Sequence, residues 1–517
     1  MPLTLAQVLE HAINLPCPLS LFYIGATVMT NAATDELLKS LAGRLGPKGY
    51  TADPAVMAPW LTDWRGRYRG AAAAMVSPAN TEEVAEIVRL CAQAKVAIVP
   101  QGGNTSMAGG ATPPADGSAL LLSMRRMNRI RSLSAQANIA VCEAGVILAD
   151  LHEAALAQGR RFPLSLGAKG SASVGGLVST NAGGTQVLRF GTMRGLVQGI
   201  EAVLPDGSRY EGLTALKKDN RGYDLKQLLI GAEGTLGIVT AASLKLVPAI
   251  GSRAVAWIGL NAPDRALTLL RLLEERTGDA VESYELVPES ALDLVLKHIA
   301  GTRRPLQGSH GWHVLVEATA PAGAPDPQAR LGEVLEEAFR RELIEDAAIA
   351  ASEAQAESFW RIRDSISEAE QQDGPAAKHD VSVEVGAMPA FMTDAARQVE
   401  ARFPGTRVIA FGHLGDGNVH FNVRAPEGAA SWLESEAPAV TGFVHDLVVG
   451  AGGSISAEHG IGQLRLAELA RLTDPARLNA MRAIKTALDP HGIMNPGKLV
   501  PPFDFAQEAL AEKPLHP

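Results

Sequence analysis

Two histidines flank a Gly/Asp/Asn turn in the stretch AFGHLGDGNVHFNV, residues 410–423, with His413 and His420 six intervening residues apart. A carboxylate–imidazole pair, Glu458-His459, follows in SAEHG at 456–460. Two imidazoles and one carboxylate are the ligand set of a catalytic zinc or similar divalent ion that keeps an open position. In that assignment His413, His420 and Glu458 hold the ion, and His459 is left over as an acid–base group. Taken alone, His-x6-His more often marks hydrogen-bonded surface histidines than a metal, so the spacing does not decide.

The elements that must position these groups are legible around them. Residues 406–412 and 419–424 read as the arms of a hairpin, with a turn over 414–418. Period-2 alternation then puts Asn422 on the face of His420, with Phe421 and Val423 on the other. Segment 250–460 mixes strands (AVAWIGL, WHVLVEA, RVIAFGH, VHFNVR) with long helices, which predicts an α+β domain on an antiparallel sheet. Within it, 352–371 reads as one helix opened by a Ser-x-x-Gln capping pattern, with Phe359, Ile362 and Ile366 as its apolar stripe. Arg363 and Ser367 are four apart and share a face, and Lys378 follows a Gly-Pro break. A solvated helix with its charges outward fits those residues as well.

Glycine-dense loops dominate the earlier half. VAIVP at 96–100 reads as a buried strand and runs into QGGNTSMAGG; a second loop, LGAKGSASVGGLVSTNAGG, spans 166–184. Without a Cβ, glycines let backbone N–H groups approach a pyrophosphate. Tight turns alone would explain one such loop, but two within 85 residues, followed by GAEGTLG, point to a large anionic cofactor. No GxGxxG follows a strand with a suitably spaced acidic residue, and no GxxxxGK[ST] occurs, which excludes the usual nicotinamide and P-loop sites. Further elements read as an Asn-capped helix over 80–95, strands at 120–123 and 139–145, a helix over 148–159 stopped by Gly159, a hairpin over 198–212 and a strand over 235–248. A first domain closes near Pro248, and the last stretch is helical until Asn495-Pro496-Gly497.

Composition bounds the rest. At 517 residues the chain exceeds one domain, and its charge of −9 argues against nonspecific nucleic-acid binding. Cys17, Cys91 and Cys142 form no CxxC pair and read as small buried hydrophobes in a reducing, cytoplasmic setting. Residues 15–29 are apolar but carry Pro16 and Pro18 with no preceding basic residue, so they fit neither a signal peptide nor a membrane span. Residues 1–28 are read as a leader of uncertain status, with Met29 as the natural start.

Three strings carry a resemblance: VAIVPQGGNTSMAGGATP, PLSLGAKGSASVGGLVSTNAGGTQVLRFGTMRG and KDNRGYDLKQLLIGAEGTLGIVTAASL. With GHLGDGNVH and SAEHGIG, they make the chain similar to the D-2-hydroxyacid dehydrogenases of the vanillyl-alcohol-oxidase superfamily over about residues 60–500. The resemblance implies a PCMH-type FAD-binding domain over 29–249, an antiparallel-sheet substrate domain over 250–455, and a C-terminal segment, 456–517, returning to the flavin. It assigns to FAD the residues Pro100, Gly102, Gly103, Asn104, Thr105, Gly167, Ser171, Gly175, Asn181, Gly184, Glu233, Gly237, Ile238, Asn495 and Lys498. Because QGGNTS lacks a histidine, non-covalent FAD is expected.

The same resemblance implies that His413, His420 and Glu458 bind Zn²⁺, and that Arg363, Ser367, Lys378 and Asn422 contact the substrate. A metal on the C2 hydroxyl lowers its pKa, His459 accepts the proton, and the C2 hydride passes to flavin N5. Two cations suit a dicarboxylate such as D-2-hydroxyglutarate, oxidised to 2-oxoglutarate, better than lactate. Ser367 stands where a threonine is expected, and the missing methyl loosens the pocket toward other D-2-hydroxyacids, including D-malate; Arg465 also stands where a lysine is common, and D-lactate, glycolate or D-malate is the alternative substrate. A non-catalytic flavoprotein subunit is the reading from another class. Electron-transfer flavoprotein as acceptor and a homodimer are further expectations from the family.

Overall fold

The protein is described here by a computed structural model covering residues 31–429 and 431–502. The leader over 1–28, the start at Met29 and Cys17 lie outside the described residues.

Four strands form the first sheet: β1 (Tyr50–Thr51), β2 (Met75–Val76), β3 (Ala97–Gln101) and β4 (Ala119–Ser123), in the order β1-β2-β4-β3. β4 runs parallel to both β2 and β3. Helix α1 (Thr81–Ala94) covers it, because Asn80 and Glu83 make a capping box. Asn80 Oδ1 accepts from Glu83 N at 2.9 Å, and Glu83 Oε2 accepts from Ala79 N at 2.8 Å. The apolar face of α1 (Val84, Ile87, Val88, Cys91) then packs on Ile98, Leu120 and Leu122.

A second, antiparallel sheet contains β5 (Ile130–Ser134), β6 (Ile139–Glu143), β8 (Val197–Val203), β9 (Arg209–Gly212) and β10 (Ile238–Lys245). A small pair joins β7 (Arg160–Arg161) to β11 (Val247–Pro248). Helix α2 (Val174–Thr180), which carries the second glycine loop into the core, packs Val174, Leu177 and Val178 against this sheet. Cys91 and Cys142 are buried, and burial pushes both thiols up to about 12.

Sheet membership changes after Pro248. Seven antiparallel strands follow: β12 (Ile250–Leu260), β13 (Val281–Pro288), β14 (Trp312–Pro321), β15 (Asp346–Ile349), β16 (Ala376–Ser382), β17 (Arg407–His413) and β18 (Asn418–Arg424). Their order is β15-β12-β14-β13-β17-β18-β16, so the fold is α+β. Val419, Phe421, Val423 and Val381 point into one apolar core on this sheet. Among the described residues, no helix is long and apolar enough to cross a membrane.

Two boundaries differ from the sequence expectation. Residues 352–371 are not one helix: α3 (Glu353–Asp364) and α4 (Ile366–Asp373) meet at Ser365, so Arg363 and Ser367 lie on different elements. At the C-terminus, α5 (Pro475–Leu488) stops seven residues before Asn495. Pro490 disfavours helical backbone at Asp489, whose carboxylate instead accepts from Ile493 N and Met494 N. The chain then runs back along the first sheet, with Met494 bridging Ile98 in parallel and Asn495 N donating to Ile98 O at 2.9 Å.

Candidate active site on one face of the large sheet

Strand register decides which side chains meet. Lys378 stands opposite Asn422, Asp380 opposite His420, and Phe411 opposite His420 on the other side. His413 pairs with Asn418 across the turn and with Glu285 on β13. Alternation therefore gathers Glu285, Lys378, Asp380, His413, Asn418, His420 and Asn422 on one face, opposite the apolar core.

The chain 456–462 completes this face. Ligand atoms of His413, His420 and Glu458 lie within 4.8 Å of one another. His413 Nδ1 bonds Glu285 Oε1 at 2.5 Å, which leaves its Nε2 for an ion. Burial opposes charge on His413, but Glu285 outweighs it and raises the imidazole to about 9. His420 is pushed the other way, to about 3, by burial and by the positive charge of His413, so it stays a neutral donor. Glu458 Oε1 accepts from Gly184 N at 2.8 Å, which ties this carboxylate to the second glycine loop. The donors fit a divalent cation of zinc type. Asp380, Glu458 and His459 form a second close trio. The oxygens of Asp380 are already occupied there: Oδ1 accepts from Asn418 Nδ2 at 2.9 Å, and Oδ2 from the backbone N–H groups of Glu458 and His459 at 3.0 and 3.1 Å. The two-imidazole set is the better ion site for that reason.

His459 is partly exposed, with Nδ1 3.2 Å from Asp380 Oδ2. Arg363 Nε donates to Glu285 Oε2 at 2.7 Å, and its guanidinium lies 5.1 Å from the Phe411 ring centre. The remaining fork stays available. Lys378 Nζ donates to Ser367 O at 3.1 Å and lies 3.6 Å from Glu370 Oε2, which also accepts from Asn422 Nδ2 at 2.6 Å. Ser367 is exposed and meets Lys378 through its carbonyl.

Sequence reading missed three buried carboxylates: Glu285, Glu370 and Asp380. Each had a signal. Glu285 is a charge inside the apolar strand Val281–Pro288, and Asp380 lies two residues after Lys378 on the same strand face.

The residues assigned to the cofactor fall into two groups. Gly102 and Gly103 follow β3 and touch the second loop directly: a Cβ on Gly103 would lie 1.7 Å from Ser171 O, and one on Gly102 would lie 2.1 Å from Ser173 Oγ. Asn104 and Thr105 continue this loop, and Pro100 lies in β3. Gly175 is packed on Ala144, while a Cβ on Gly167 would meet open space. Gly184, at φ +117°, lies against Ser165 O in a conformation that a side chain would strain. Asn495 Nδ2 donates to Gly110 O and Glu233 O at 2.9 and 2.7 Å. Lys498 is buried, and burial lowers its ammonium to about 8 against the pull of Glu233.

The other assigned residues meet protein. Asn181 caps α2 in the left-handed region and accepts from Arg194 N at 2.9 Å. Glu233 accepts from Ile461 N and Gly462 N at 2.7 and 2.8 Å, which fixes the segment behind His459. A Cβ on Gly237 would meet Val203 O at 2.9 Å, and the Ile238 side chain is in the apolar core.

Among the described residues, the buried polar atoms without a partner include Ser173 Oγ, between the two loops, and Asn495 Oδ1, on the returning C-terminus. Orphaned atoms at a cradle of close-packed glycines fit a polar cofactor such as FAD. Gly103→Ala is accordingly expected to separate the two loops. The substitution should destabilise by about 3 kcal/mol or more, because backbone cannot yield as a side chain does. Thermal melting and the flavin absorbance of purified protein check this; a variant with parental flavin content would contradict it.

Comparison with known proteins agrees with this geometry. Residues 72–212 match the family model described as FAD binding domain, and residues 251–499 match the model described as FAD linked oxidases, C-terminal domain. A mitochondrial D-2-hydroxyglutarate dehydrogenase of Arabidopsis thaliana is 38% identical, covering 88% of this chain and 80% of that one. The Bos taurus protein of the same name is 38% identical over 89% of this chain and 82% of its own. A solved p-cresol methylhydroxylase, 14% identical, shares the fold with a TM-score of 0.70 over 92% of this chain and 98% of that chain.

Proposed function

This chain belongs to the D-2-hydroxyglutarate dehydrogenase family of FAD-dependent hydroxyacid dehydrogenases, and from that premise we propose that it oxidises D-2-hydroxyglutarate to 2-oxoglutarate with a divalent metal, zinc by donor type. The observation that carries the reading is the convergence of His413, His420 and Glu458 within 4.8 Å, with Glu458 bonded to the glycine loop at Gly184. An ion site and a flavin cradle thereby share one boundary.

When bound, the metal supplies Lewis acidity at the substrate hydroxyl and FAD the two-electron acceptor. The chain's own residues do the rest. His459 takes the hydroxyl proton on Nε2, since its Nδ1 is turned to the Asp380 carboxylate at 3.2 Å. Arg363, oriented by Glu285 through one nitrogen, presents its remaining donors to a carboxylate. Lys378 and Asn422, gathered by Glu370, line the adjacent face of the sheet. His413, His420 and Glu458 would hold the ion beside the proton acceptor.

Reduction of an artificial dye across a panel of D- and L-hydroxyacids tests the reading. D-2-hydroxyglutarate is expected to give the highest kcat/KM, with negligible reduction by its L-enantiomer. Reduction by D-lactate alone would overturn the substrate assignment. No reduction by any acid would favour an electron-transfer subunit. We further propose electron-transfer flavoprotein as the acceptor; steady hydrogen peroxide release at turnover would contradict it.

A further inference from the structure

Two of the cations expected to meet the substrate already hold an anionic protein partner, although Arg363 keeps free donors. Arg363 is paired with Glu285 at 2.7 Å, and Lys378 with Glu370 at 3.6 Å. Arg465 donates to Gly460 O and Ser456 Oγ at 2.7 and 3.4 Å. Arg65 differs. Its guanidinium is partly buried, yet among the described residues it has no side-chain hydrogen bond and no ion pair. Its charge acts on Lys378 and feels those of Asp380 and Arg465, so it lies near the candidate active site.

The loop that presents it is built rather than loose. Thr62 and Arg69 form a β-bridge, and Asp63 closes the tip by accepting from Tyr68 N at 2.6 Å and Arg65 N at 3.1 Å. Asn104, next to the Gly102-Gly103 cradle, donates to Thr62 O at 2.9 Å. On the other side, the Tyr68 ring packs so closely on Gly109 that a Cβ there would lie 2.7 Å away. Gln463, four residues after His459, donates to Gly109 O at 2.9 Å. Both flanks of the loop are thus tied to the site, and the nearby carboxylates are committed elsewhere: Asp63 to its own loop, Asp380 to Asn418 and the backbone of 458–459.

We propose that Arg65 is the specificity-determining residue that receives the distal carboxylate of a dicarboxylic hydroxyacid. This rests on the function proposed above for the identity of the substrate's reacting end. An arginine with no hydrogen-bonded anion, on a loop tied to a site that accepts an acid, gains its partner from the ligand. Burial and the neighbouring Arg67 and Arg465 lower Arg65 to about 10, which is the penalty an incoming carboxylate would relieve. The distal carboxylate is also what separates D-2-hydroxyglutarate from D-2-hydroxypentanoate, which has the same carbon count.

The test compares these two acids in dye reduction, and 2-oxoglutarate with 2-oxopentanoate in calorimetric binding to the flavin-loaded protein. Arg65→Ala and the neutral, longer Arg65→Gln are read side by side, so that a folding defect in one leaves the other informative. Each is expected to lower the dicarboxylate-to-monocarboxylate ratio, in kcat/KM and in affinity, by about 30-fold or more; Arg65→Lys should fall between them and the parent. A ratio that moves less than about threefold, with flavin retained, would overturn the proposal. A parent protein that turns over neither acid, yet binds 2-oxoglutarate in an Arg65-dependent way, would sink the proposed function and leave this inference standing.

Discussion

Removal of the divalent cation with EDTA is expected to lower turnover by about a thousandfold or more, and Zn²⁺ should restore it. Lewis acidity at a developing alkoxide contributes several kcal/mol, and about 1.4 kcal/mol corresponds to a factor of ten. His420→Ala removes one donor of the close trio and should show the same loss without rescue, while flavin content stays at the parental level. Metal affinity should also depend on pH in a defined direction. In the metal-free site Glu285 outweighs burial and raises His413 to about 9, so below that pH the ion must displace a proton. Affinity is then expected to fall by about tenfold per pH unit as pH drops from 9 toward 7. Competition with a chromophoric chelator measures this. Retention of a tenth or more of the activity in protein verified as metal-free would end the metal assignment.

The coupling at Glu285 gives this site more than a ligand list. One buried carboxylate bonds the metal-ligand candidate His413 and the substrate-binding candidate Arg363. Burial works against its charge, but Arg363 and His413 hold it down at about 2. The residues proposed for ion and substrate binding therefore share a common anchor on β13.

Local turn chemistry made part of this arrangement readable in advance. The hairpin over 407–424 follows from a glycine-rich turn between alternating strands, so the proximity of His413 and His420 could be inferred from the chain itself. The same holds for the capping box at Asn80 and Glu83. What could not be read is pairing between distant strands. Glu285 reaches His413 only because β13 lies beside β17, and Glu370 reaches Asn422 only because α4 packs near the β16–β18 edge. Glu233 has a structural role that its motif does not show: its carboxylate secures Ile461 and Gly462 through their N–H groups. Arg65 escaped notice because nothing in TDWRGRYRG marks one arginine of several as lacking a partner. That property emerges only when the neighbouring carboxylates are seen to be taken.

His459→Asn is expected to lower kcat by two to four orders of magnitude while KM changes less than about tenfold, the usual span for loss of a positioned general base. Asparagine keeps a polar side chain of related size, so the loss reports proton transfer more than packing. Asp380→Asn offers the contrast. Its carboxylate bonds the backbone N–H groups of both Glu458 and His459, besides facing the His459 ring. Neutralising it weakens three contacts at once, and the segment that delivers Glu458 to the ion should loosen with it. The two variants are therefore expected to separate in metal content: His459→Asn retains one ion per chain and parental affinity for 2-oxoglutarate, and Asp380→Asn loses metal together with rate. Single-turnover flavin reduction, with metal analysis on the same samples, resolves them. A His459→Asn enzyme within tenfold of the parental rate would mean that the proton leaves by another route, and Asp380, buried and already committed to three donors, is not positioned to provide it.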